Sequence, residues 1–545
     1  LVDAEVADSD VYSHLAMEEG EELEEAEIFL AYEPSKPGDK VRPKVAFDSN
    51  NPERPQWVES KNKEESRLLA YNCWRKLNET EETEWNAGRL KAVPCALLLT
   101  RKRCGRYKSR LVVLGNQWRS SEDVPLYASV VSQTGNRIAM VNIAREGMYP
   151  IGFDISNAFI RASMNDIKVM VRLPLHFREN DNDAGYRILL KALYGLPISP
   201  RLWAKQLNKD LCKLGWIESK HEPGVWRYPD PKDHTKSWGY MTVYVDDCLV
   251  ACRTKSETEL RISEIHKLHP CSIIPSEINE AGDITFDLCG ADVTINPHKR
   301  TFFMSMKKYA QKLLDKYDMN SSKPRTTPAF AEERLYATDS LPSTFPYRSA
   351  VGALQWLSTT ARPDIAHACG TLSRVSHLEP TQARAACVRL VLRYIKGTLD
   401  FGISYSPEEE AEYNTIYRDL INHPNNKTLD QQKFSELMNK PVHRFSDASF
   451  GVTFRTLKSI SGSSIYLFGC PVAWKTSVQT VSASSTTQSE FIAASDTIIH
   501  AESSVEIQNF IRGTPEDAQS SMGPLFIDNS GAVSAGRCGS DSEAI

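Results

Sequence analysis

At 545 residues the chain is longer than one hydrophobic core usually organises, and roughly three to four domains are expected. Hydrophobic residues at 41%, aromatic residues at 9% and charged residues at 25% exclude collagen-like, wholly disordered and disulfide-scaffold classes. With 65 Lys and Arg against 70 Asp and Glu, the net charge of -5 offers no general cationic surface, so any nucleic-acid footprint must be local.

Residues 1–56 read as an acidic, largely disordered arm, in which EEGEELEEAE precedes a Pro-, Lys- and Asp-rich stretch without periodicity; order is expected near Trp57. Between Asn86 and Ser121 stand nine cations and no acid, among them Lys108 and Arg110, around the apolar runs VPCALLL and RLVVLG. These runs suggest two strands joined by RKRCGRYKS with Gly105 at the tip, and either phosphate binding or plain solvation would use such cations. GFDISNAFIRA, MTVYVDDCLVAC and DITFDLCGADVTI have strand character, whereas SPRLWAKQLNKDLCKLG and KKYAQKLLDKYDM have helical periodicity. The segment 347–405 is helical in pattern, a polar insertion follows to Pro441, and a second α/β block begins at His443.

Asp246 and Asp247 stand between the apolar flanks MTVYV and CLVAC, the pattern of a strand, a tight turn and a returning strand. Two unit charges about 4 Å apart repel by about 4 kcal/mol at an effective dielectric near 20, and a divalent cation reverses that cost. Asp154 ends the strand-like run YPIGFD, so an adjacent strand could bring it against the hairpin. Taken alone, an Asp-Asp turn is most often only a turn. The neighbouring motifs change the reading. YVDD, FDISNAF, RYKSRLVVLGNQ and ALYGLPISPRLW, followed by YRSAVGALQWLSTTARPDIA and VLRYIKGTLDFGISY, resemble the reverse transcriptase of copia-type LTR retrotransposon polyproteins over residues 57–405 and again from 443.

The resemblance implies that Asp154, Asp246 and Asp247 are catalytic palm ligands of two Mg²⁺ or Mn²⁺ ions. It also implies that Phe159 is the aromatic gate beneath the nucleotide sugar, and that Lys108 and Arg110 belong to the fingers, where cations meet the triphosphate. One position departs from the pattern. The family writes LYGLKQAPRLW, whose Gln contacts the nucleotide, and this chain has Pro197 and Ile198 there; losing such a hydrogen bond is worth about 1 to 3 kcal/mol.

In the C-terminal block, Asp447 follows HRFS, Glu490 lies in the helix-like TTQSEFIAAS and Asp528 ends the strand-like PLFID. The intervening SISGSSIYLFGCPVAWKTSVQTVSASS alternates as three antiparallel strands would. FSDASFG, SSTTQSEFIAAS and FIDNSGAV resemble the copia-type RNase H domain, which implies a second catalytic two-metal site at Asp447, Glu490 and Asp528. The fourth acid of that family follows a His-Ile motif expected just past Ile545, and Asp541 and Glu543 do not fit its context. The chain is therefore expected to be a C-terminally truncated piece of a polyprotein. The twelve cysteines form no C-x-x-C pair, which favours reduced thiols, and no run approaches the roughly 18 apolar residues that span a bilayer, so no membrane partner is expected.

The expected fold is α+β: a right-hand polymerase with fingers, palm and thumb, a helical connection and an RNase H-like α/β domain. The expected boundaries are fingers and palm at 57–270, a thumb-like region at 271–345, with helices near 300–340, the helical connection with its polar insertion at 346–440, and an incomplete RNase H-like domain at 441–545. The implied activity is RNA-directed DNA synthesis, with an RNA template, a DNA primer, an RNA–DNA hybrid and dNTPs as partners and two divalent ions per site. Integrase, protease and capsid segments of a parent element are further expected partners, in a cytoplasmic virus-like particle or the nucleus. The competing reading is a decayed or domesticated relic that binds nucleic acid without catalysis.

Overall fold

The computed structural model describes residues 40–533 apart from 103–104, 119–124, 127, 129, 166, 181, 235, 339, 422–430, 515–520 and 530. Residues 1–39 of the expected arm, together with Asp541 and Glu543, lie outside the described residues. The chain forms two compact units, residues 1–129 with 156–210, and residues 130–155 with 211–545.

The first unit is built on a six-stranded sheet in which strand Ala92–Arg101 is flanked by Lys40–Val41, Tyr107–Val113 and Met170–Arg172, with Tyr186–Leu189 and Trp74–Arg75 beyond. Alternation makes the central strand: Val93, Cys95, Leu97 and Leu99 are all buried. Order starts earlier than Trp57, correcting the expected limit of the arm. Lys40 pairs with Thr100, and helix Arg54–Ala70 opens on Pro55, whose missing N–H costs nothing in a first turn. Trp57 packs edge-on against Tyr107, and the Tyr107 hydroxyl and Arg101 both reach the Glu53 carboxylate, which anchors that helix to the basic hairpin.

The LYGLP turn docks on the end of the same hairpin. The Val113 N–H donates to the Tyr194 carbonyl at 2.8 Å. Gly115 and Gly195 allow this approach: a Cβ on Gly115 would stand 2.1 Å from the Gly195 carbonyl oxygen, and Gly195 itself has φ +81°.

In the second unit, one six-stranded antiparallel sheet runs in the order Cys271–Ile273, Tyr149–Ile155, Asp247–Cys252, Ser237–Tyr244, Val225–Pro229, Ile217–Glu218. A five-stranded meander follows, from Ser276–Ile278 through Ile284–Leu288, Ala291–Asn296 and Thr301–Ser305 to Gly402–Tyr405. Among the described residues the thumb-like region at 271–345 thus holds five strands, one α-helix, Lys307–Lys316, and a 3-10 turn, Glu332–Tyr336, where helices were expected. Its last strand pairs with one from the expected connection, Phe302 opposite Tyr405, so the expected boundary at 345 divides a single sheet.

The third sheet of this unit holds strand Val442–Ser449 between Ile460–Leu467 and Met522–Ile527, with Cys470–Val478 on the outside; only the Val442–Ser449 pairing with Met522–Ile527 is parallel. The serine-rich segment after 458 supplies two strands, not the three expected, because from Gln479 the chain leaves the ladder for the N-cap of helix Thr486–Arg512, where the Ser485 hydroxyl accepts from Gln488 N. The polar insertion also holds more order than its composition suggested. Helix Pro407–Ile421 lays Tyr413 and Tyr417 against His443, Phe445 and Phe526 on the sheet.

One continuous apolar core runs from Ile138 and Ile143 on helix Gln133–Arg145, through Leu354 and Leu357, to Ile465, Val472 and Ile511. At its centre Arg137 is 3% exposed. Its guanidinium donates to the Val472 carbonyl at 2.7 Å and to the Thr359 and Thr360 carbonyls at 2.8 and 2.9 Å, and it lies 4.2 Å from the Trp474 ring centroid. Arg137→Leu leaves those buried carbonyls without donors and is expected to lower stability by about 2 to 4 kcal/mol, read as a shifted midpoint in urea denaturation.

Candidate functional site

The hairpin carrying Asp246 and Asp247 turns in two residues, since Tyr244 pairs with Asp247 directly. Of the two turn residues only Val245 has positive φ, at 61°. That is the pattern of a type II′ connection, whose first central position usually holds glycine. A β-branched residue there is strained by roughly 1–2 kcal/mol, and strain of this kind concentrates at functional turns. On the far side, Asp247 stands opposite Asp154 in the antiparallel ladder, and the Ile155 N–H donates to the Asp246 carbonyl at 2.9 Å. Backbone pairing therefore gathers all three expected acids at the ends of two neighbouring strands.

The charge of this gathering is visible at Asp247. Burial, then Asp246, Asp154 and Asp287, push its carboxyl up to about 6. Asp287, in the hairpin formed by Ile284–Leu288 and Ala291–Asn296, was not among the sequence candidates; the motif FDLCG that holds it resembles the family too loosely to have marked it.

The second set is tighter. Asp447 lies near the end of strand Val442–Ser449, Glu490 in the first turns of helix Thr486–Arg512, and Asp528 one residue past strand Met522–Ile527. Each of the three offers an oxygen within 4.8 Å of the others. Glu490 is buried, its Oε2 has no hydrogen-bond partner, and burial with Asp447 and Asp528 raises its carboxyl. An orphaned buried carboxylate oxygen facing two further acids fits a hard divalent cation. Asp154, Asp246 and Asp247 do not form another set of that spacing among the described residues.

In the first unit, Lys108 and Arg110 share the strand Tyr107–Val113. Burial, then Arg110, Lys102 and Arg67, lower the Lys108 ammonium to about 7. Four cations crowd one place. The Arg110 guanidinium lies 4.7 Å from the Tyr194 ring centroid, and Phe159, on the short helix Ala158–Arg161, meets the same ring edge-on at 5.1 Å. Arg67 donates to the Asn157 side chain at 2.6 Å and also pairs with buried Glu64. Sequence reasoning passed over Arg67 and Tyr194: the first lies in a helix with no motif, and the second reads as an ordinary turn residue. Ile198, at the position where the resemblance implies Gln, is fully buried.

Residues 86–331 match the family described as reverse transcriptase (RNA-dependent DNA polymerase). The retrovirus-related Pol polyprotein from transposon RE2 of Arabidopsis thaliana is 28% identical over 414 residues, covering 74% of this chain and 25% of the polyprotein. The corresponding polyprotein from transposon TNT 1-94 of Nicotiana tabacum is 24% identical over 404 residues, 72% of this chain and 27% of that protein. The putative transposon Ty5-1 protein of Saccharomyces cerevisiae is 26% identical over 349 residues, 64% of this chain and 99% of the yeast protein. The chain spans about a quarter of the length of the two plant polyproteins. Residues 86–331 therefore match a reverse transcriptase family, and the chain is similar over about three quarters of its length to Pol polyproteins of plant transposons.

Proposed function

We propose that this chain is an RNA-directed DNA polymerase of a copia-type retrotransposon, joined to an RNase H-like nuclease. The observation that carries the polymerase reading is the ladder pairing of Asp247 with Asp154, with Asp246 in the strained turn beside them. In this reading the sheet with the Asp-Asp hairpin is the palm, the basic hairpin belongs to the fingers, and Asp154, Asp246 and Asp247 hold two divalent ions. When bound, Mg²⁺ or Mn²⁺ activates the attacking oxygen and neutralises the leaving one. The primer 3′-hydroxyl attacks the α-phosphate of a dNTP, a new phosphodiester forms, and pyrophosphate leaves. Lys108 and Arg110 take the polyphosphate, and the Phe159 ring crowds a 2′-hydroxyl, favouring dNTP over rNTP. Asp447, Glu490 and Asp528 hold the ions of the nuclease, which acts on the RNA strand of the hybrid; the mixed sheet with the long helix Thr486–Arg512 agrees with that domain type. In a parent element, integrase, protease and capsid segments are its companions, in a cytoplasmic virus-like particle or the nucleus; the similarity to Pol polyproteins supports further polyprotein segments.

Buried Ile198 favours a second reading, a relic that binds nucleic acid without catalysis. Primer extension on poly(rA)/oligo(dT) separates the two. The parent chain extends in Mg²⁺, Asp247→Asn loses on the order of a hundredfold or more, and Glu490→Gln abolishes RNA-strand cleavage while extension persists. A parent chain silent in both Mg²⁺ and Mn²⁺ establishes the relic.

Two pH dependences follow from the shifted groups. Asp247 has a folded value near 6, above its unfolded value, so its charge destabilises the metal-free fold at neutral pH and that cost fades as pH falls below 6. In EDTA, Asp247→Asn is expected to raise the denaturation midpoint at pH 7.5 and to do little at pH 4.5. Lys108 near 7 is recharged when polyphosphate binds, so the dNTP KM is expected to rise as pH climbs from 6.5 to 8.5. Lys108→Arg, which stays protonated, flattens that profile in steady-state kinetics.

A further inference from the structure

We propose that Tyr194 is a positioning residue that couples the phosphate-facing Arg110 to the sugar-sensing Phe159, an inference that rests on the polymerase reading. Three segments distant in sequence meet at its ring. Arg110 stacks on it at 4.7 Å and Phe159 meets it edge-on at 5.1 Å. The backbone beneath the ring is fixed: the Tyr194 carbonyl accepts from Val113, three residues along the strand from Arg110, and Gly195 turns sharply against the Val113 carbonyl.

The Phe159 side is equally braced. Asn157, with φ 61°, starts the short helix and accepts from Arg67, and Arg161 reaches back to the Ser156 carbonyl at 3.0 Å and to the Tyr71 hydroxyl at 2.6 Å. Neither Arg110 nor Phe159 can swing without leaving the shared ring. Arg110 also has like charges close by, since both Lys108 and Arg67 feel its guanidinium. The ring face attracts a guanidinium and holds it against that repulsion.

Tyr194 acts through its ring, so its loss should disturb two properties together that a general packing defect would not link. In primer extension, Tyr194→Leu is expected to raise the dNTP KM about tenfold, with kcat changed far less, and to lower dNTP over rNTP selectivity by a similar factor. Tyr194→Phe keeps the ring and restores both to within about twofold. In an Arg110→Lys background, where the stacking cation is already gone, Tyr194→Leu should add little to KM yet still erode sugar selectivity. Binding of inorganic tripolyphosphate, measured by calorimetry on the full chain, supplies a readout independent of catalysis: Tyr194→Leu weakens it about tenfold and Tyr194→Phe does not. A folded Tyr194→Leu protein with unchanged KM, selectivity and tripolyphosphate affinity overturns the coupling. A parent chain that fails to extend any primer overturns the polymerase reading instead, and the tripolyphosphate comparison still decides whether Tyr194 holds Arg110.

Discussion

The backbone ladder between Tyr149–Ile155 and Asp247–Cys252 forces like charges together. Hydrogen-bond register has no regard for side-chain charge, and once Cys248 pairs with Phe153 and Leu249 with Gly152, Asp247 must face Asp154. The strand Asp247–Cys252 is buried on both faces from Cys248 to Cys252, so side-chain packing above and below the sheet holds that register. Repulsion among carboxylates, and the positive φ of Val245 in the turn, are held in place by packing elsewhere in the sheet. That is the condition under which strain and unfavourable charge persist in a native fold.

The two units carry opposite unmet charges. Lys108 is pushed down towards neutrality by burial and its cationic neighbours, while Asp247 is pushed up by burial and its anionic ones. Each is a group whose charged form is penalised by burial and by the like charges around it. The net charge of -5 conceals this arrangement completely. An averaged charge describes solubility, whereas the segregation of nine cations into one acid-free stretch describes a local field.

Much of the chemistry was legible because it lies in short local patterns. Apolar flanks around two acids marked the hairpin at 246–247, and the cation-rich runs with Gly105 marked the basic hairpin; both stand in the fold as Tyr244 against Asp247 and Leu98 against Arg110. The metal-sized grouping of Asp447, Glu490 and Asp528 was anticipated from the resemblance of FSDASFG, SSTTQSEFIAAS and FIDNSGAV to an RNase H domain, each acid lying on a different element. What escaped notice depends on contacts between distant segments. Arg67 carries no local signature of a cation site, Asp287 lies in a hairpin whose proximity only the fold reveals, and Gly402–Tyr405 joins a sheet begun more than a hundred residues earlier. Early order in residues 40–56 was hidden for a related reason: Lys40–Val41 has no periodicity of its own and takes its structure from the edge of Ala92–Arg101.

The boundary expected at 440 shows how composition misleads about independence. A polar stretch ahead of an α/β block has the sequence character of a linker, and the block would be expected to fold alone. Arg137 argues otherwise. Its guanidinium is buried with backbone carbonyls from 359, 360 and 472 as acceptors, and Asn142 and Gln508 exchange hydrogen bonds at 2.8 and 3.2 Å across the same seam. Removing the C-terminal sheet would strand those donors in an apolar surround, at a cost of about 1–3 kcal/mol for each unsatisfied polar group and more for the cation. Polar groups so placed constrain geometry more sharply than apolar contacts do, since a hydrogen bond fails within about half an ångström of displacement where a methyl contact merely weakens. The group of Asp447, Glu490 and Asp528 is thereby held on the same core as the Asp-Asp hairpin, and the spacing between the two acidic groups is a property of the fold instead of a linker.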